Sequence, residues 1–170
     1  MVFYMSFNFE RLSILVVEDS LPMRNMLAGV LRAMGLGNVY VASEGKHAYQ
    51  LYLHNRPDII LTDWQMEPED GLGLVRRIRL EKTSPNKTIP IIMMTGYSAL
   101  NRIAQARDIG TTEFLVKPFT ASDLARRIAY VIEKPRDFVE AQTFFGPDRR
   151  RKKINNPKTP GRRKSDRSTA

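Results

Sequence analysis

The chain has 170 residues, a formal net charge of +9 and 42% hydrophobic residues, enough for one folded domain and an extension. It contains no Cys, which excludes a disulfide framework and thiolate chemistry. No apolar run approaches the roughly 18 residues of a membrane span, and the short apolar start has no basic residue before Arg11. We therefore expect neither a membrane anchor nor a signal peptide, and we predict a cytoplasmic protein.

The positive charge is concentrated at one end of the chain. Residues 134–170 hold 12 Lys+Arg and 4 Asp+Glu, a net charge of +8, whereas residues 1–133 are almost neutral. Prolines and few apolar residues accompany this charge, a composition that favours disorder. We predict an N-terminal extension at 1–11, a folded domain at 12–133 and a basic, Pro-containing, disordered tail at 134–170.

Five apolar runs alternate with five helical patterns in the folded part. The runs are continuous rather than alternating, which is typical of strands buried on both faces of a parallel sheet. The predicted strands are 12–17, 38–42, 58–62, 89–94 and 112–116. This order predicts the α/β class, as a doubly wound, five-stranded parallel sheet with five helices.

The helices are predicted from apolar residues at i, i+3 and i+4 spacing and from their capping residues. The first runs from about Met23 to Met34, with Asp19 or Ser20 as its cap and Gly35 at its end. The others are predicted at 44–55, 71–81, 98–109 (capped by Ser98) and 120–133, where TASD has the form of a capping box. His47 and His54 lie on the second helix, and we interpret them as ordinary side chains rather than metal ligands.

Polar residues follow four of the five predicted strands. Glu18 and Asp19 follow the first, Asp63 the third, Thr95 the fourth and Lys117 the fifth. Ligands of such sheets bind beyond the carboxyl ends of the strands. We therefore expect these side chains to share one pocket, with Asp63 at its rim rather than in the core.

The types of these residues indicate phosphoryl chemistry. Carboxylates brought together repel one another and require a cation, and Mg²⁺ prefers oxygen ligands. A lysine suits a phosphate as a point charge, and a threonine hydroxyl can donate to a phosphoryl oxygen. A carboxylate can act as a nucleophile and form an aspartyl-phosphate. The chemistry of these residues thus allows a cation shared by the three carboxylates, a carboxylate nucleophile, and phosphate contacts from Thr95 and Lys117.

The motifs ILVVEDS, DWQM…DG, MMTGY and FLVKPF, in this order over about residues 12–133, resemble the receiver domain of bacterial two-component response regulators. The likeness is to the single-domain, chemotaxis type with a flavodoxin-like fold. It implies that Asp63 accepts phosphate from a sensor histidine kinase or a phosphotransfer protein. It also implies that the backbone carbonyl of Gln65 joins Glu18, Asp19 and Asp63 in binding Mg²⁺, and that the bond before Pro118 is cis.

The resemblance further implies a switch that couples Thr95 to an aromatic ring, here Phe114, and a partner surface at about 98–133. The family often has Tyr at the ring position, so a hydrogen bond from its hydroxyl is lost here and burial of Phe114 must carry the switch. The protein would act as a monomer or a phosphorylation-dependent dimer on an unknown downstream partner. A second departure is Glu67 before Pro68, where the family often has Pro one place earlier.

Other interpretations compete with this one. Alone, Glu18 and Asp19 are an ordinary charge pair at a helix start, and Asp63 could begin a turn. An aspartate-nucleophile, Mg²⁺-dependent phosphatase would share the fold, but Gln65 stands where such an enzyme usually has a second Asp, so we do not predict an enzyme. The basic tail could bind nucleic acid or an anionic membrane, and its apolar stretch near 138–145 could dock on the domain or on a partner.

Overall fold

The computed structural model describes residues 8–96, 101–141 and 144–148. The strands of its main sheet are β1 (Ser13–Val17), β2 (Asn38–Ala42), β3 (Ile59–Asp63), β4 (Ile91–Gly96) and β5 (Glu113–Lys117). The helices are α1 (Leu21–Ala33), α2 (Gly45–Asn55), α3 (Gly71–Leu80), α4 (Ile103–Ile109) and α5 (Ala121–Glu133). Within the described ranges, none of these helices combines the length and the apolar composition needed to cross a bilayer.

The five strands form one parallel sheet in the order β2-β1-β3-β4-β5, which confirms the predicted fold class. The chain winds first to one side of β1 and then to the other. The order therefore reverses at β1 and β3, whose carboxyl ends flank the crevice where such folds bind ligands. Glu18 follows β1 directly, and Asp63 is the last residue of β3.

Two hydrophobic layers cover the faces of the sheet. Alternate residues of one strand enter opposite layers, so Leu15 and Val17 pack under α2 and α3, whereas Ile14 and Val16 pack under α1 and α5. All four side chains are fully buried. Burial on both faces explains why β1 is continuously apolar, as the sequence pattern indicates.

The helix ends agree only in part with the predicted caps. At α5, Thr120 and Asp123 exchange hydrogen bonds in a capping box, as predicted. Ser20 is the N-cap residue of α1, one of the two predicted, but its side chain makes no capping hydrogen bond. α4 begins at Ile103, and the predicted cap Ser98 lies outside the described residues.

The prediction that the chain is disordered from residue 134 is wrong for the described part of that segment. Two further strands, β6 (Phe138–Ala141) and β7 (Phe144–Pro147), pair antiparallel. We call β6 and β7 together the C-terminal strand pair. Phe138 and Phe145 of this pair are half-buried, Gly146 and Pro147 are buried, and β7 packs against α4 and α3. The basic run at 149–153 lies outside the described residues.

Gly71 brings the start of α3 against the end of β3. Its N–H donates to the carbonyl of Trp64 at 2.9 Å, and a Cβ on Gly71 would lie 2.3 Å from the carbonyl oxygen of Asp63. We expect Gly71→Ala to lower the free energy of unfolding by about 1–3 kcal/mol, because backbone must move to admit the methyl group. Urea unfolding followed by circular dichroism measures this change.

Gly29→Ala is the matched control, because Gly29 lies on the exposed side of α1 and a methyl group there would meet nothing within 4 Å. That variant is expected to raise the free energy of unfolding by about 0.5–1 kcal/mol through helix propensity. If Gly71→Ala were as stable as the original protein, the close approach to Asp63 would not constrain the backbone of the site.

Candidate functional site

Three carboxylates meet at the carboxyl ends of β1 and β3. Glu18, Asp19 and Asp63 each offer a carboxylate oxygen, and these oxygens lie within 4.8 Å of one another. Glu18 exposes 3% of its side chain and Asp63 12%, whereas Asp19 is exposed. Asp63 is therefore nearly buried, which corrects the expectation of an acid at the rim: the strand delivers it to the floor of the pocket.

Lys117 partly neutralises this acidic cluster. Its Nζ lies 3.0 Å from Oδ1 of Asp63 and 3.2 Å from Oε2 of Glu18. The strand order places β5 beyond β4, so the long lysine side chain crosses the end of the sheet to reach β3 and β1. One ammonium group thus faces two carboxylates, and the net charge of the cluster remains negative.

The pKa shifts follow from burial and from these charges. Burial, and then the negative charge of Asp63, raises the pKa of Glu18 above its ordinary value. Burial acts to lower the pKa of Lys117, but the hydrogen bond to Asp63 and the charges of Asp63 and Glu18 outweigh it, so its pKa is raised. Lys117 is therefore protonated at neutral pH, and a further cation beside Glu18 would act against the rise in the pKa of that carboxyl.

Thr95 and Phe114, the residues of the predicted switch, lie on the neighbouring strands β4 and β5. Thr95 is buried near the end of β4, and its hydroxyl donates to the carbonyl of Gly96 at 3.2 Å. Phe114 is half-buried on β5, and its ring centroid lies 6.5 Å from that of Trp64. The structure thus shows the Thr95 hydroxyl bonded to the backbone, and it shows the Phe114 ring beside the residue that follows Asp63.

The site also contains two arginines that sequence reasoning missed. Arg24 donates to the carbonyl of Glu18 at 2.6 Å and to that of Asp19 at 3.3 Å, which fixes the loop that carries both acids. The guanidinium of Arg102 lies 5.4 Å from the ring of Trp64, which is itself 2% exposed. The one sequence feature that indicates the role of Arg24 is its position, five residues after Asp19 and six after Glu18.

The loop after β3 forms the outer wall of the site. Gln65 and Glu67 are exposed there, and with Asp19 and Asp70 they line a pocket of about 500 Å³. The Glu67–Pro68 bond is cis, and so is the Lys117–Pro118 bond, as the resemblance implied for the latter. Every predicted site residue lies in the described part of the chain, and all of them except Phe114, near the start of β5, lie at the carboxyl ends of the strands.

Comparison with known proteins identifies the family. Residues 14–129 match the response regulator receiver domain. The chain belongs to the response regulator receiver family. It is 30% identical to the chemotaxis protein CheY-3 of Vibrio cholerae over 125 residues, which are 74% of this chain and 95% of that protein. It is 31% identical to the chemotaxis protein CheY of Pseudomonas aeruginosa over 123 residues, 72% of this chain and 98% of that protein.

Solved structures agree with this receiver assignment. Chemotaxis protein CheY4 of Vibrio cholerae aligns with a TM-score of 0.65 at 28% identity, covering 71% of this chain and 98% of that one. The receiver domain of a sensor histidine kinase from Pseudomonas aeruginosa aligns with a TM-score of 0.64 at 27% identity, covering 72% and 98%. That structure holds a magnesium ion in its active-site cleft. Receiver residues therefore account for most of this chain, and the C-terminal strand pair is additional to them.

The donor set of this receiver fits a magnesium ion. All three grouped ligand atoms are carboxylate oxygens, and within the described region Lys117 is the lysine that contacts them. A divalent cation would act against the effects of burial and of the Asp63 charge, which raise the pKa of Glu18. Mg²⁺ commonly takes one or two carboxylates and keeps several waters, which suits a pocket with one exposed acid, Asp19.

Proposed function

We propose that this receiver is a phosphorylation-controlled switch that accepts a phosphoryl group on Asp63 from a histidine kinase or a phosphotransfer protein. The observation that carries the proposal is the position of Asp63, at the floor of an acidic pocket and 3.0 Å from the Lys117 ammonium. A carboxylate so placed lies beside a cation and is accessible to a small donor, yet it is shielded from bulk water. Gln65, two residues after Asp63, stands where an aspartate-nucleophile phosphatase usually has a second Asp, so we propose a switch rather than turnover of phosphate esters.

The transfer follows from the chemistry of these side chains. A carboxylate oxygen of Asp63 attacks phosphorus as the bond from phosphorus to the donor's imidazole nitrogen breaks, and that nitrogen keeps the electron pair. The Lys117 ammonium, already at the acceptor, offsets the negative charge on the transferred group. Thr95 can turn its hydroxyl from the Gly96 carbonyl to a phosphoryl oxygen.

Glu18, Asp19, Asp63 and the backbone carbonyl of Gln65 are the proposed ligands of Mg²⁺. When bound, this ion supplies positive charge that stabilises the phosphoryl oxygens during transfer. Arg24 holds the loop that carries Glu18 and Asp19 in place, because its guanidinium donates to the backbone carbonyls of both residues. The phosphorylated receiver would then differ from the free one in the partners of Thr95 and Lys117, which lie at the ends of the neighbouring strands β4 and β5.

The partner surface proposed at about 98–133 contains a groove. It has a volume of about 470 Å³ between β5 and α5, and its lining includes Val116, Phe119 and Tyr130 with Arg126 and Arg127. Apolar side chains beside cations suit a protein partner with an amphipathic segment. Phe114 also lines the groove, so a change in the position of its ring alters the groove's shape. We propose that phosphorylation controls partner binding here.

Metal dependence tests this function. We expect acetyl phosphate to phosphorylate the protein in the presence of Mg²⁺ and not after chelation by EDTA, as judged by intact mass. Asp19→Asn is expected to weaken Mg²⁺ affinity by about 10-fold or more, since even loss of a group supporting a ligand costs about 10–100-fold. The tryptophan fluorescence of Trp64 reports that titration.

Glu44→Gln is the charge-matched control, because Glu44 lies before α2 and its side chain makes no cap hydrogen bond. Its Mg²⁺ midpoint is expected to equal that of the original protein. Equal phosphorylation with and without Mg²⁺ would refute the proposed role of the carboxylate cluster.

A further inference from the structure

The C-terminal strand pair lies beyond residues 14–129, which match the receiver family, and it folds back onto the domain. β7 packs against α4 and α3. Gly146 and Pro147 belong to this strand, and Phe138 of β6 stacks on its Phe145. The chain therefore does not simply leave the domain at the end of α5.

One anchor of the strand pair is an ionic contact at the base of β5. Glu113, the first residue of β5, exposes only 5% of its side chain. It pairs with Arg127 of α5 at 3.0 Å and with Arg136, just before β6, at 3.1 Å. A buried carboxylate needs such partners, and removal of one is costly. This contact ties the segment that leads into β6 to the strand that carries Lys117.

A second anchor joins the strand pair to the buried Arg79 of α3. The guanidinium carbon of Arg79 lies 5.0 Å from the ring centroid of Phe138, and Phe138 packs against Phe145 with centroids 5.6 Å apart. Arg79 is 1% exposed and donates to the carbonyl of Gly110, which ends α4. A cation over an aromatic face is strongest where water is excluded. Phe138 thus packs on the same guanidinium that donates a hydrogen bond to the end of α4.

α4 and β5, the two elements that these anchors hold, also extend to the region of the phosphoryl acceptor. Arg102, which precedes α4, lies over Trp64, the neighbour of Asp63. β5 runs from Glu113, which pairs with Arg136 just before β6, to Lys117 at Asp63. β5 therefore joins the acceptor to the segment that leads into the strand pair, and α4, which β7 packs against, is preceded by a residue that contacts the acceptor's neighbour.

We propose that the C-terminal strand pair is a brake on the switch: it stabilises the arrangement of α4 and β5 in which Lys117 pairs with Asp63, and it loosens when Asp63 is phosphorylated. The inference rests on the proposed function. A phosphoryl group takes the Lys117 ammonium and the Thr95 hydroxyl from their present partners, which displaces β5 and α4. Packed contacts exchange between discrete arrangements rather than stretch, so the strand pair loses contacts.

Linkage makes this proposal quantitative. If phosphorylation destabilises the docked strand pair by a given free energy, then undocking the pair favours phosphorylation by the same free energy. A weakened strand pair therefore makes the acceptor easier to occupy. Because Lys117 of β5 contacts both Glu18 and Asp63, which are proposed Mg²⁺ ligands, the coupling to phosphorylation is measured at saturating Mg²⁺.

The first test is hydrogen–deuterium exchange on the full chain with Mg²⁺, with and without beryllofluoride as a phosphoryl mimic. We expect faster amide exchange in 138–147 when beryllofluoride is present, and unchanged exchange in α2, Gly45–Asn55, which follows the strand at the opposite edge of the sheet. Unchanged or slower exchange in 138–147, in a sample whose Trp64 fluorescence shows saturation, would overturn the brake. This test needs no variant and so does not depend on the folding of one.

The second test compares Phe138→Ala with Val139→Ala, since Val139 is the exposed neighbour on the same strand. Phe138→Ala is expected to lower the beryllofluoride midpoint, measured at saturating Mg²⁺, by about fivefold, the lower end of ordinary coupling energies. Equal midpoints for both variants would refute the brake and leave the proposed function standing. An original protein that saturates with Mg²⁺ but never responds to beryllofluoride would refute both.

Discussion

Asp63→Asn is expected to abolish phosphoryl uptake from acetyl phosphate. The amide is a poor nucleophile, and it also removes the charge that holds Lys117 at 3.0 Å. Intact mass spectrometry measures the outcome directly: the original protein gains the mass of one phosphoryl group in the presence of Mg²⁺, and the variant gains none. Because the change is isosteric and the residue is not part of the apolar layers, the fold is retained, as circular dichroism can verify.

Glu133→Gln is the control for Asp63→Asn, because Glu133 is an exposed acid at the far end of α5. It is expected to be phosphorylated at the same rate as the original protein. If Asp63→Asn gained the phosphoryl mass at an equal rate, the acceptor would be another residue and the proposed mechanism would fail.

Arg79→Met is expected to lower the free energy of unfolding by about 3 kcal/mol or more. The buried guanidinium donates at 2.7–3.0 Å to three carbonyl oxygens in two separate segments: that of Gly110 after α4, and those of Lys87 and Ile89 before β4. Methionine fills much of the volume but leaves these acceptors unpaired, at about 1–3 kcal/mol for each group that water does not reach. Urea unfolding at equilibrium measures the loss.

The control for Arg79→Met is Arg76→Met, because Arg76 is exposed on the same helix. Its effect is expected to stay within about 0.5 kcal/mol, as for most surface substitutions. Burial lowers the pKa of Arg79 to about 9, so the guanidinium is charged at neutral pH and its hydrogen bonds are charge-assisted. Equal stability of the two variants would show that Arg79 does not join α3 to the end of α4 and the start of β4.

Much of the fold could be predicted because each signal is local. The five strands of the main sheet follow apolar runs, and β2, for example, begins and ends where its apolar run does. Asp19, Asp63, Thr95 and Lys117 are separated by 44, 32 and 22 residues, a spacing that sets one polar group at the end of each relevant strand. The topology then brings these groups together without further information.

The features that escaped prediction depend on contacts distant in sequence. Asp63 is buried because Lys117, from a strand two places away, covers it. Arg79 looks like a surface residue on an amphipathic helix, yet its acceptors lie up to 31 residues away. The C-terminal strand pair escaped because the charge of residues 134–170 as a whole outweighed a short apolar stretch whose partners, Arg79 and Glu113, are far along the chain.

The central claim, that Asp63 is the acceptor of a Mg²⁺-dependent switch, is tested most directly by the fluorescence of Trp64, the protein's single tryptophan. Mg²⁺ and then acetyl phosphate are added to the original protein and to Asp63→Asn. We predict a saturable response of the original protein to Mg²⁺, followed by a response to acetyl phosphate that the variant lacks. No response of the original protein to acetyl phosphate, together with an unchanged mass, would contradict the claim.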